Sequence, residues 1–184
     1  MMDDNSVFTY VSNFKEALIH ARDEGAFDWD HSFLRFPKAC CGDTSYILAE
    51  YLRLKGIETI YVWGDYRGQT HAWLVVKDGR IKSPQERRLS IPHSVVETLS
   101  LYGNQDVPEN MTYLNYSEKD IEGGLIIDIT ADQFGEDSVY VNYLDTFHRK
   151  FKFQNAHDYV YLGNSRLYRL FEIVLEYLGD SYER

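Results

Sequence analysis

Three side chains of this sequence have types and settings suited to nucleophilic chemistry: Cys41, His71 and Asp128. A cysteine attacks as the thiolate, so it needs a base to take its proton, and a third group must fix the tautomer of that base and stabilise its cation. Thiol, imidazole and carboxylate meet those three needs in turn. Cys41 stands at the start of a helical pattern, His71 opens a strand-like run, and Asp128 interrupts an apolar run. Each also has a plainer reading: an inert buried thiol, a satisfied structural histidine, or an acid that caps a turn or pairs with an arginine.

The element that must position the thiol is Phe36 to Gly56, FPKACCGDTSYILAEYLRLKG. Thr44, Ile47, Leu48, Tyr51 and Leu52 recur at helical spacing and Gly56 supplies the stop. At the first turn, unsatisfied N–H groups carry partial positive charge, which favours a thiolate at Cys41. Cys41, Ser45, Leu48 and Leu52 fall near one line along the helix, so the sulfur is expected to point into the body of the domain.

Before it, Val7, Tyr10, Val11, Phe14, Ala17, Leu18 and Ala21 predict an amphipathic helix over 6–24, stopped by Gly25. Residues 26–40 read as a loop anchored by Trp29, Phe33 and Phe36. Residues 58–63 predict a strand, 64–68 a turn, and 71–76 a second strand with His71, Trp73 and Val75 on one face. Asp78-Gly79 is a hairpin signal. The stretch 80–123 is the least regular, with a short helix expected over 94–101 and a serine-capped turn over 117–121. It reads as a lid or specificity loop, or as partly disordered. Leu125 to Thr130 is nearly all apolar and is expected to be a central strand, and Asp128 within it requires a partner. Further strands are expected over 138–144 and 150–153, and a last helix over 165–178 before Gly179.

The 184 residues, 44% hydrophobic and 15% aromatic, suit one domain over 1–184 with a real core. A net charge of −10 argues against non-specific binding to nucleic acid or anionic membrane, even with fifteen tyrosines available for stacking. No apolar run approaches a bilayer span, and the acidic MMDDNS start carries no secretory pattern, so a cytoplasmic location is expected. On that expectation the glycosylation patterns at Asn110 and Asn115 are taken as chance. The adjacent pair Cys40-Cys41 excludes a framework of structural disulfides and lacks the spacer of a zinc site, so no metal or other cofactor is assigned.

The set C-G-D-T-S on a helix, G-I-x-x-x-Y-V-x-G before H-A-W, and then I-D-x-T resembles the transglutaminase-like branch of the papain-like cysteine enzymes, over residues 36–76 and 123–134. The resemblance implies an α+β, papain-like core in which a cysteine at a helix N-terminus packs on an antiparallel sheet carrying histidine and aspartate. It makes Cys41 the nucleophile, His71 the base and acid, and Asp128 its orienter. Trp73 matches the aromatic that shields the triad and is counted with the substrate-binding residues. The implied reaction is attack on an amide carbonyl of a peptide or protein to give a thioester, resolved by water or by an amine. Gln133, just past the aspartate strand, either assists the oxyanion or closes a turn. The doublet Cys40-Cys41 and the long 80–123 segment depart from the better-known members. Two other readings stay open: a silent module that binds a partner through 80–123, and a redox switch at the cysteine pair.

Overall fold

The structure is a computed structural model that describes residues 4–82, 85–90, 110–143, 146–158, 162 and 165–179. It is α+β. The elements are α1 (Asp4–Asp23), α2 (Cys41–Leu54), β1 (Thr59–Tyr66), β2 (Gln69–Val76), β3 (Gln85–Ser90), β4 (Asn110–Tyr116), β5 (Ile126–Asp128), β6 (Tyr140–Asn142), β7 (Lys152–His157) and α3 (Ser165–Leu178). The strands form one sheet in the order β3-β4-β7-β1-β2-β5-β6, antiparallel at every pairing.

The sheet separates two cores. On one face the apolar stripes of α1, α2 and α3 meet Leu74 and Ile127, and on the other Ile60, Val62, Trp73, Val75, Phe147 and Phe151 pack together. This division follows from strand alternation, since neighbouring residues of β2 and β5 must point to opposite faces. The helical spacing of α1 is reproduced directly: Val7, Val11, Phe14, Ala17, Leu18 and Ala21 are all buried. In the loop before α2, Phe27, Phe33 and Phe36 are buried, whereas Trp29, expected as an anchor, is 37% exposed and lies under the guanidinium of Arg169.

Several expectations about strands are corrected. The turn expected at 64–68 shrinks to Arg67-Gly68, because Tyr66 pairs with Gln69. Both turn residues have positive φ, 55° and 80°, which matches the twist of a two-residue hairpin. Gly64 belongs instead to β1, opposite His71, at a register shift against β7. A Cβ there would lie 2.9 Å from Phe151 Cβ and 3.0 Å from the Lys152 carbonyl oxygen, so the glycine lets β7 approach.

Asp78-Gly79 does not make a hairpin. The Asp78 carboxylate accepts from the Arg80 N–H at 2.9 Å, and the chain leaves for the far edge of the sheet, where β3 pairs with β4. Part of the irregular stretch, 85–90 and 110–116, is therefore an antiparallel ladder of largely polar sequence. The helix expected over 94–101 lies outside the described residues. At 117–121 the chain does turn, with Ser117 N–H and hydroxyl donating to Asp120 at 2.8 and 2.6 Å. The strand at Asp128 is three residues long and second from the edge rather than central. The middle position belongs to β1; beside it lies β7, which begins later and runs longer than its expected 150–153. No described helix is long and apolar enough to cross a membrane.

Gly64→Ala tests the close approach of β1 and β7. Urea unfolding is expected to show a loss of about 1–3 kcal/mol, the usual cost of overpacking. A neutral substitution would mean that β7 is free to shift outward.

Candidate active site

The segment leading into α2 reverses sharply, with a cis Phe36-Pro37 bond and Ala39 at φ 60°. Cys40 then caps the helix and Cys41 is its first residue. This separates the two thiols. Cys40 is 3% exposed in the helix-side core, where burial pushes its pKa up to about 12 against the opposing effect of the nearby Thr44. Cys41 is partly exposed at the helix start.

The start of α2 is tied to both neighbouring segments by Arg166 of α3. Its guanidinium donates to Asp30 at 2.5 and 3.1 Å and to Asp43, in the first turn of α2, at 2.7 Å. Asp30 also accepts the N–H groups of Ser32 and Phe33 at 3.0 and 3.1 Å. Burial opposes ionisation of Asp30, but these partners hold its carboxyl below the usual range. Loop, helix start and terminal helix thus share one ionic junction.

His71 and Asp128 lie on adjacent strands and on the face opposite the helices, and both are almost fully buried. His71 Nε2 stands 2.6 Å from Asp128 Oδ2. The other carboxylate oxygen accepts the N–H and hydroxyl of Thr130 at 2.8 and 2.9 Å. A third side chain, His148, brings its own Nε2 to 3.1 Å from the same Oδ2. An ionised carboxylate only accepts, so both histidines carry hydrogen on Nε2.

That leaves Nδ1 of His71 as the nitrogen open to the Cys41 thiol. Nδ1 makes no full hydrogen bond among the described residues, yet the thiol is near enough to raise the proton affinity of the ring. Burial works to lower the His71 pKa; the hydrogen bond to Asp128 and then the Cys41 thiol overcome it and set the pKa at about 9. Burial likewise opposes the Asp128 charge, and the two imidazole N–H donors hold its pKa well below the ordinary carboxylate value. Rings of Phe134, Phe151, Phe147 and Trp73, with centroids 4.9 to 5.9 Å from that of His71, surround this pair with apolar surface.

The expected residues are therefore placed as follows. Cys41, His71 and Asp128 converge. Trp73 is buried against His71 and lies 4.7 Å from the ring of His148. Gln133 donates its side-chain amide to the Thr130 carbonyl at 2.9 Å and so braces the turn that presents Thr130. His148 has no comparable setting in the sequence, and only its contact with Asp128 brings it into the site. Buried Lys15 was also missed; its ammonium reaches Asp132 and the Ser138 carbonyl at 2.6 Å each, from a helix assigned only packing.

His71, Asp128 and His148 also carry metal-ligand donor types, all within 4.8 Å of one another. Ligands at about 2.0–2.1 Å from one ion stand roughly 3 Å or more apart, so the 2.6 Å contact is a hydrogen bond rather than a shared coordination edge. Comparison with family models, curated proteins and solved structures returns no match.

Asp128→Ala is expected to cost about 3–5 kcal/mol of unfolding free energy, since it strands two buried imidazoles. The cost depends on pH. The folded pKa of His71 lies above its ordinary 6.5, so its pairing contributes fully below 6.5, fades above it and is lost as pH passes about 9. Denaturant unfolding in mildly acidic and in alkaline buffer is expected to show the gap between variant and parent narrowing at high pH. A gap that does not change with pH would contradict the assigned charge state.

Proposed function

We propose that this protein is a cysteine-dependent amide hydrolase or acyl transferase of the transglutaminase-like, papain-like kind, acting on a peptide or protein. The observation that carries the reading is one buried imidazole that holds the Asp128 carboxylate through Nε2 while the Cys41 thiol is near enough to raise its proton affinity, which leaves Nδ1 for the thiol. The resemblance of 36–76 and 123–134 to that branch supports it independently.

In the proposed reaction the Cys41 proton already resides on Nδ1 of His71, in keeping with the raised pKa of the ring, and the thiolate of this ion pair attacks an amide carbonyl. The carbonyl π-bond electrons move to oxygen, giving a tetrahedral oxyanion. The N–H groups of the first turn of α2, which helix geometry leaves without an intrahelical partner, would donate to that oxygen. The hydroxyl of Tyr61 lies against Gly42, 3.2 Å from where a Cβ would stand, and no hydrogen bond among the described residues engages it. It is a fitting second donor, and burial raises its pKa, so the proton stays in place. Collapse of the intermediate breaks the C–N bond as imidazolium Nδ1–H protonates the leaving amine, and the acyl group remains as a thioester on Cys41. Water or an amine then attacks the thioester, with His71 taking the acceptor's proton on Nδ1 as the C–S bond breaks and the Cys41 thiolate leaves, which restores the ion pair. No cofactor enters any step.

Iodoacetamide labelling followed by peptide mass mapping tests the proposal. Cys41 is expected to react at neutral pH well ahead of Cys40 and ahead of the same thiol in the urea-unfolded chain. His71→Ala is expected to slow Cys41 by roughly tenfold or more. Labelling no faster than in the unfolded chain would remove the enzymatic reading and leave a binding module.

A further inference from the structure

Asp128 serves two imidazoles, and the proposed reaction uses only one. His148 follows β6 on a short 3-10 turn, His148–Lys150, and is as deeply buried as His71. The two rings lie nearly parallel, 20° apart with centroids 6.0 Å apart, on either side of the carboxylate. Thr130 occupies Oδ1 twice, and among the described residues the hydrogen bonds to Oδ2 come from the two histidines.

We propose that His148 is a positioning residue of this relay. By donating Nε2–H to the oxygen that also receives Nε2–H of His71, it keeps Asp128 ionised and divides the carboxylate's pull between two rings. His71 then exchanges protons only through Nδ1, on the Cys41 side. The inference rests on reading Cys41 and His71 as nucleophile and base, while its statement about protonation stands on the geometry alone.

The physical need for sharing is clear. A buried carboxylate aimed at one imidazole concentrates its attraction there, and a cation held too tightly returns its proton poorly to a leaving group. A second donor weakens that attraction without moving the carboxylate. His148 is itself fixed by rings, with Trp73 at 4.7 Å, Phe147 at 4.7 Å and Tyr140 at 5.1 Å. The titratable groups facing the two histidines are Cys41 of α2, Asp128 of β5 and Tyr140 of β6. Arg149 and Lys150 follow on the turn that carries His148, and Lys150 pairs outward with Glu136 at 3.7 Å.

Nitrogen-15 NMR of the full chain with labelled histidine tests this. In the unsubstituted protein, Nε2 of both His71 and His148 is expected to remain protonated through the neutral and alkaline range, with Nδ1 as the titrating nitrogen of His71. A deprotonated Nε2 on either ring overturns the proposal, and that measurement needs no variant to fold. His148→Phe keeps a ring and removes the donor, whereas His148→Gln offers an amide N–H in its place. The His71 midpoint is expected to rise by roughly half a unit or more in His148→Phe and to return toward the parent value in His148→Gln. The pH profile of Cys41 alkylation is expected to move with it. An unmoved midpoint in folded His148→Phe, or equal shifts in both variants, overturns the proposal. A Cys41 that fails to label rapidly, with the nitrogen pattern as stated, counts against the enzymatic reading and leaves the shared carboxylate in place.

Discussion

The carboxylate of Asp128 is the constraint on which the site depends. A charge buried without partners costs many kcal/mol, and a lone carboxyl so placed would take up a proton and become neutral. Here four donors prevent that: the N–H and hydroxyl of Thr130 on one oxygen, and two imidazoles on the other. These donors come from three separate pieces of structure. β2 supplies His71, the chain just beyond β5 supplies Thr130, and the turn before β7 supplies His148. The strand order β1-β2-β5 and the passage of the chain from β6 to β7 are therefore what keep this charge folded into the protein. In return, the charge fixes which nitrogen of His71 faces outward.

A second junction does for the thiol what Asp128 does for the base. Arg166 joins the loop acid Asp30 to Asp43 in the first turn of α2, so the helix start cannot drift from the loop that delivers it. The guanidinium is half-buried and its fork is matched by carboxylates on both sides, the geometry in which an arginine holds position best. Within the doublet, burial decides the outcome. Two adjacent residues at a helix start point in different directions: Cys40 enters a core that raises its pKa, and Cys41 stays at the N–H groups with one flank open. The doublet is a packing thiol followed by a presented one.

Much of this was legible in the residues and some was not, for identifiable reasons. The helices were readable because their apolar spacing and glycine stops act locally; Gly56 and Gly179 take positive φ, 77° and 71°, where the sequence placed the ends. The pairing of His71 with Asp128 was readable because an acid in an apolar strand must find a partner. His148 was not, because nothing in Phe147-His148-Arg149-Lys150 is periodic and its burial comes from strands far away in sequence. β7 was underestimated for a related reason. Its sequence KFQNAH is mostly polar, and its interior place in the sheet comes from pairing with β1, across the register shift at Gly64, and with β4. The apolar run around Asp128 suggested a central strand, but its burial comes from the helices on one face. It has only the short β6 between it and the sheet edge.

The two sides of the relay differ in their access to water, and that difference bears on the proposed chemistry. Around His71 and His148, Phe134, Phe147, Phe151 and Trp73 form a low-dielectric wall in which the Asp128 attraction is strong. Around Cys41 the surroundings are polar and partly open: a helix start, the Tyr61 hydroxyl, and the stack of Tyr46, Tyr61 and His157 with neighbouring centroids at 4.5 and 5.1 Å. A dry base beside a wetter thiol suits acyl transfer through a thioester. The proton is held where solvent cannot take it, while the acyl carbon is formed where an acceptor can reach it. Gly42 contributes to the same division, since a side chain there would meet the Tyr61 hydroxyl and close the space beside the first-turn N–H groups.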